Sequence, residues 1–525
     1  MKNTLPMMAA NLPLIAPQWT PVEMTLTASE SYENPYSEVL VWMEFTHDSG
    51  LKLVRPAFWD GGVTWRVRFA SPLSVGIWKW TTVGNVGDFG LVGRSGSMSS
   101  TPPLLPEGFL AGGLLSMSPG GRNVVRGNGR GLLLVGDTAW ALPWRATVED
   151  CEIYAKDRAA KGFNMVLLMT MMPDLGVKGP EGRGVPEGFE LAFEDFYEAK
   201  LTRLRPEYFQ YLDRLVEILV QHGIVPVYQP LFHGFGWKGK GSVGQSVSVE
   251  DAVRYSQYLV ARYGAWPAIY LVGADGLGTE PTIKAAGVAV SENDCYGQPT
   301  GIHYGPHGTD DVHQGAEWLD FQWCQSGHGG EHRPEKVAVM WRNTPRKAVA
   351  NGEPTYEAVG QGGRDAVGWW QGHEAWLNLC AGGTMGVVYG AGSLWSFNPE
   401  REEPGMEDWT VAAGHSWKDA LDFSGSTFVG KMARVFKGVD FADMAPNVSH
   451  TFGQRGLLVP GKFFLVYLEN PPKDFNLQVV GNEVPQAYRV WDLKAGEVVA
   501  TGRRTPGTNT VKIEGGRPLA VVFEN

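Results

Sequence analysis

The sequence predicts an α/β protein built as a (β/α)8 TIM barrel flanked by an amino-terminal and a carboxyl-terminal β-sandwich. Three observations carry this expectation. Residues near 20–100 alternate apolar and polar positions as pleated strands do. From about residue 130, eight short apolar runs are separated by helix-length segments, the pattern of a parallel sheet with crossover helices. Beyond Val439 strand-like runs return. The expected division is residues 1–105 for the first sandwich and its linker, 106–438 for the barrel and 439–525 for the second sandwich. A chain of 525 residues has room for three such units at ~100–200 residues each.

In the first part, Trp65, Val67 and Phe69 are separated by Arg66 and Arg68, which puts the apolar set on one face of a strand. Val39 to Phe45 and Ile77 to Trp80 are further strands, with Asp48-Ser49-Gly50 and Asp60-Gly61-Gly62 as turns. A Gly/Ser/Pro-rich linker is expected from about Gly93 to Pro106.

The barrel begins with Leu132 to Val135, ending in Gly136-Asp137-Thr138. Thr147 to Asp150 resembles a capping box for a helix that stops at Gly162, and Met165 to Met169 is strand two. Pro206 to His222 is apolar at 209, 212, 215, 216, 219 and 220, one face of a helix ended by Gly223. Ile224 to Tyr228 is strand three, Ser248 caps a helix to about Tyr263, and Ala268 to Val272 is strand four. Strands five to eight are Gly301 to Tyr304, Leu319 to Trp323, Ala348 to Ala350 and Met385 to Tyr389. Periodicity alone leaves a doubly wound sheet as the alternative. In the last part, Phe463 to Leu468, Tyr488 to Trp491, Val498 to Thr501 and Leu519 to Phe523 are strands, with Lys494-Ala495-Gly496 as a hairpin turn.

Composition narrows the function. Hydrophobic residues make up 43% and charged residues 19%, which excludes a disordered chain or a coiled coil. The net charge of −11, without a run of basic residues, argues against nucleic acid as a partner. The 68 glycines and 20 tryptophans suit tight turns and aromatic faces, a common surface for sugars. Four widely spaced cysteines form no CxxC pair, so neither a disulfide scaffold nor a zinc knuckle is expected. Pro6, Asn11 and Pro13 interrupt any secretory signal and no run reaches ~18 apolar residues, so a soluble, cytoplasmic protein without membrane contact is expected. Sandwich edges leave a homo-oligomer open.

Catalytic groups of a barrel sit at the carboxyl ends of its strands. Strand four ends in Gly273-Ala274-Asp275-Gly276, and strand seven runs into Asn351-Gly352-Glu353-Pro354. One carboxylate at each end is the layout of a retaining glycosidase, with Asp275 as acid/base and Glu353 as nucleophile. The bland alternative is a turn aspartate and a solvated loop acid.

Four segments resemble successive signatures of the apiosidase-like barrel glycosidases, the group that contains glycoside hydrolase family 140. They are Gly136-Asp137-Thr138-Ala139-Trp140, Gln325-Ser326-Gly327-His328, Gly352 to Glu357, and Gly390 to Trp395. The layout of barrel, leading sandwich and a closing sandwich of the collagen-binding type is similar too. The resemblance implies a strand-four Asp as acid/base and a strand-seven Glu before Pro as nucleophile, which falls on Asp275 and Glu353. It also implies a pentofuranose or related unusual sugar. Family members usually carry Gly-Gly-Asp at strand four, so Ala274 and Gly276 are departures, and apiose specificity is not transferred.

Other strand-end groups are candidates for substrate contact: Asp137, Trp140, Trp144, His233, His303, Tyr304, His328 and Trp395. Glu357 is expected to brace an arginine such as Arg364. Gly234 to Gly241 nearly spells a phosphate loop but lacks its final Ser/Thr, and no Gly-x-Ser-x-Gly elbow is present. His303, His307, Asp310, Asp311 and His313 leave a metallohydrolase open, although no metal or other cofactor is expected for the glycosidase route. The expected activity is exo-acting hydrolysis of a small glycoside or oligosaccharide by double displacement. The rivals are an inverting glycosidase using the same carboxylates and a non-catalytic glycan-binding barrel.

Overall fold

The computed structural model describes residues 14–173, 175, 191–234, 241–306, 311–359, 366–398, 414–505 and 509–524. Eight parallel strands form its centre: Val135–Thr138, Met165–Met169, Val225–Gln229, Ile269–Leu271, Thr300–His303, Phe321–Gln325, Ala348–Glu353 and Val387–Tyr389. They pair in the order seven, six, five, four, three, two, one, eight. The Met385 amide donates to Val349 O at 3.1 Å and brings the last strand to the seventh. This is the expected TIM barrel, and the doubly wound alternative is set aside.

Its helices follow from local chemistry. Val148–Lys161 opens on a reciprocal capping box between Thr147 and Asp150 and stops at Gly162, whose φ of 103° suits glycine. Pro206–Gln221 starts on a proline, which has no N–H to leave unpaired, and buries Phe209, Leu212, Leu215, Val216, Leu219 and Val220. Ser248 caps Val249–Tyr263 by accepting from the Asp251 amide.

Several strands run further into polar sequence than hydrophobicity suggests. Strand one is Val135–Thr138 rather than 132–135, and strand seven continues from Ala348 to Glu353. Buried polar residues stay in the ladder because their side chains find partners.

The amino-terminal part is a sandwich of a five-stranded and a three-stranded sheet around Phe45, Trp65, Val67, Phe69 and Trp78. The expected linker at 93–106 contains strand Ser95–Thr101, which pairs with both Ile77–Gly84 and Leu14–Pro17. Serine and glycine disguise it, because only Met98 and Ser100 are buried. Arg68 leaves this sandwich and enters the barrel's helices, where Asp213 accepts from it at 2.5 Å and from Arg262 at 2.8 Å. Burial would raise the Asp213 pKa, but Arg262 and Arg68 outweigh it and hold the carboxyl down to about 2.

The carboxyl-terminal part has a six-stranded sheet covered by the pair Asp474–Gln478 and Thr510–Glu514. Alternation sorts its side chains. Phe464, Val466, Val521 and Phe523 face the small sheet. Leu465, Tyr467, Ala520 and Val522 join the barrel core, where Tyr467 stacks on Trp376 at 5.7 Å. Among the described residues, no helix is long and apolar enough to cross a membrane. The four cysteines are unbridged.

Candidate active site

Asp275 and Glu353 come together at the carboxyl mouth of the barrel. Glu353 is the last residue of strand seven and is 7% exposed. His328 Nδ1 accepts the Tyr356 amide at 3.2 Å, which leaves the ring proton on Nε2 to donate to Glu353 Oε1 at 3.0 Å. A bulge between Cys324 and Gln325 places Gln325 opposite Glu353, and its side chain bonds the same carboxylate. Burial would raise the pKa of Glu353, but the bonds and charge of His328, with His303 and Gln325, hold it below the ordinary carboxylate value.

Asp275 lies beyond strand four, with φ of 59° and a side chain 20% exposed. Left-handed backbone is unusual outside glycine, and aspartate is among the residues that tolerate it. The neighbours close tightly around it. A Cβ on Gly234 would stand 2.6 Å from the Asp275 Cβ, and one on Gly305 would stand 2.6 Å from its carbonyl oxygen. Glycine content noted as a bulk property thus has a local use here, letting the chain pack against a catalytic candidate.

His303, at the end of strand five, lies between the two acids. Its side chain is fully buried, with Nδ1 3.6 Å from Asp275 Oδ1 and Nε2 3.8 Å from Glu353 Oε2. Burial lowers its pKa, against the charge of Glu353. One ligand atom from each of Asp275, His303 and Glu353 lies within 4.8 Å of the others, so these three are the group among the described residues with spacing suited to a metal ion. The ring turns its two nitrogens to different carboxylates, whereas a cation would take a single nitrogen lone pair.

The remaining candidates separate into wall and support. Trp140 is 3% exposed, lies parallel to His303 at 6.3 Å and donates from Nε1 to the Tyr356 hydroxyl at 3.0 Å. Trp144 and Trp395 are 4% and 9% exposed, short of the open face that a stacking platform needs. Tyr304 is buried, and its hydroxyl donates to Gln322 in the barrel interior at 3.2 Å. His233 is turned toward Thr282 Oγ1 at 3.0 Å, and its pKa falls to about 4 through burial, against the charge of Glu280. Asp137 differs most from expectation: it is fully buried, with Arg158 Nε at 2.5 Å and the Tyr154 hydroxyl at 3.1 Å, and is not brought to the mouth.

Glu357 accepts from the Gly368 and Gly425 amides and the Tyr389 hydroxyl, at 2.8, 3.0 and 2.6 Å. Arg364, the arginine expected beside Glu357, lies outside the described residues, as do 235–240, His307 and Asp310. His313 bonds Gly278 O at 2.7 Å. Sequence reasoning assigned no role to Tyr356, Gln325 or Glu374. Tyr356 and Gln325 stand within the motif segments and could have been found there, whereas Glu374 is a helical residue with no local signal.

A parallel barrel whose mouth gathers two acids around the His303 imidazole is laid out as a barrel glycosidase would be, and the comparisons agree on that class. The family described as apiosidase-like, catalytic domain, matches residues 118–443, and the chain belongs to that family. Residues 15–85 match a domain of unknown function, DUF5060. No curated protein matches the chain. Among solved structures, a glycoside hydrolase family 5 protein from Bacteroides vulgatus is similar over 79% of this chain and 94% of its own, at 20% identity and TM-score 0.64. Another protein of that bacterium is similar over 98% of this chain and 100% of its own, at 18% identity and TM-score 0.70. A third structure, titled glycoside hydrolase, covers 79% of this chain and 97% of its own, at 20% identity and TM-score 0.62. At such identities the structures establish the fold.

Proposed function

We propose that the enzyme removes a terminal sugar from a glycoside by retaining double displacement. The observation that carries this reading is the approach of Asp275 and Glu353, with ligand oxygens no more than 4.8 Å apart. Retaining glycosidases hold their carboxyl groups ~5–5.5 Å apart, and inverting ones ~6.5–9.5 Å, to leave room for water. Asp275, protonated, gives its proton to the glycosidic oxygen while Glu353 attacks the anomeric carbon. The aglycone leaves as an alcohol and a glycosyl ester forms on Glu353. Asp275, now a carboxylate, takes a proton from water; the water oxygen displaces Glu353 from the anomeric carbon and restores both groups. The depressed Glu353 pKa supports its place as the ionised partner.

A panel of nitrophenyl glycosides that includes furanosides and both anomers identifies the sugar. The matching 2-deoxy-2-fluoro glycoside then traps the intermediate. Mass spectrometry is expected to find the label on the peptide that contains Glu353. Normal turnover with the label on another residue would overturn the assignment. The metal-dependent hydrolase remains a second reading because Asp275, His303 and Glu353 have ligand-like spacing. Full activity after chelator treatment, as the glycosidase route requires, removes it.

A further inference from the structure

Beneath the mouth, Glu374 projects from the helix Trp369–Cys380 and is 1% exposed. Its two oxygens reach two different loops. Oε2 accepts from the Thr355 amide at 3.2 Å, in the segment after strand seven. Oε1 lies 3.3 Å from Ser326 Oγ, in the segment after strand six. These two segments carry the parts of the nucleophile site: the Ser326 amide bonds Glu353 O at 3.1 Å, Thr355 Oγ1 bonds Gly327 O at 3.2 Å, and the Tyr356 amide bonds His328 at 3.2 Å.

Hydrogen-bond accounting fixes the protonation of this junction. The Asn351 amide nitrogen belongs beside the carbonyls of Glu353 and Cys324, at 3.1 and 3.2 Å. Its oxygen then accepts from Asn378 Nδ2 at 3.2 Å and from Ser326 Oγ at 3.0 Å. The single hydroxyl proton of Ser326 is spent on Asn351, so Ser326 has only lone pairs to offer Glu374. A contact between two acceptors would repel; a carboxylic acid O–H donating to Ser326 satisfies both.

We propose that Glu374 is a positioning residue that works as a neutral acid, donating to Ser326 and accepting from Thr355, and so holds His328 against Glu353. Burial pushes its pKa up to about 8, in agreement with that state. The proposal rests on Glu353 as the nucleophile for its effect on rate, but not for its effect on His328.

The test compares Glu374→Gln, which keeps a donor, an acceptor and neutrality, with Glu374→Met, which keeps length alone. The Gln variant is expected to stay within about twofold of wild type. The Met variant is expected to lose about tenfold in kcat, with little change in KM, the factor that one misaligned hydrogen bond corresponds to. In substrate-free enzyme carrying 15N-histidine, the His328 Nε2–H signal, assigned by its loss in His328→Gln, should persist in the Gln variant and vanish or shift in the Met variant. Ser326→Ala removes the same tie from the other end and serves if the Met variant fails to fold. An unchanged His328 signal and a wild-type kcat in folded Met or Ala variants would overturn the proposal. Failure of the nucleophile assignment alone would leave the histidine signal responding as stated.

Discussion

Asp137 is the penultimate residue of strand one and Glu353 the last of strand seven of the same barrel, and both carboxylates are buried. Asp137 receives the guanidinium of Arg158 from the helix that follows its strand, with Nε at 2.5 Å. A permanently charged partner with its own buried surroundings locks that acid into the frame. Glu353 receives imidazole and amide groups from His328, His303 and Gln325, none of them a fixed cation at full contact. Its charge is stabilised, yet its oxygens still face a space shared with Asp275. The difference teaches that position at a strand end does not by itself make an acid functional; the charge offered by the neighbouring element decides.

The strongest way to break the comparison is to remove the acids at the mouth. Glu353→Ala is expected to lower kcat by ~10⁴-fold or more, while the melting temperature stays near wild type. Asp275→Ala should cost ~10²–10⁴-fold, and less with nitrophenolate, a leaving group that needs little protonation. Removing the braced acid should do the reverse. Asp137→Ala takes from buried Arg158 its fully buried partner and leaves it Asp157 alone; it is expected to cost about 3 kcal/mol of stability, read from the urea midpoint, while the folded fraction keeps its turnover.

A smaller change sharpens the picture at Glu353. Its pKa lies below the ordinary glutamate value, so Glu353, as the proposed nucleophile, stays ionised further into acid than a free carboxylate, and the acid limb of kcat/KM should be displaced to correspondingly lower pH. Replacing His328 with Gln takes away a bond and a charge that lower this pKa. The acid limb of the kcat/KM profile should therefore move to higher pH, and a limb that stays in place would separate His328 from the titration of the nucleophile.

Much of this was legible in the sequence, and the gaps have physical causes. Helices with self-contained signals, such as Val148–Lys161 with its capping box and glycine stop, could be bounded closely. The number of barrel strands followed from counting apolar runs, and the two mouth acids from their place just beyond the fourth run and in the extension of the seventh. The strand Ser95–Thr101 was hidden because pairing with neighbours, rather than its own hydrophobicity, holds it in the sheet. The partner of Asp137 was hidden for a related reason. Arg158 is one more basic residue on a helix until the fold turns it inward. Glu374 was beyond reach because its role depends on two loops that meet only in three dimensions.

The central claim is that Asp275 and Glu353 act as a retaining pair. Proton NMR of the first sugar released from an active nitrophenyl glycoside, recorded before mutarotation, tests it most directly. The account predicts the same anomer as in the substrate; the opposite anomer as first product would contradict it.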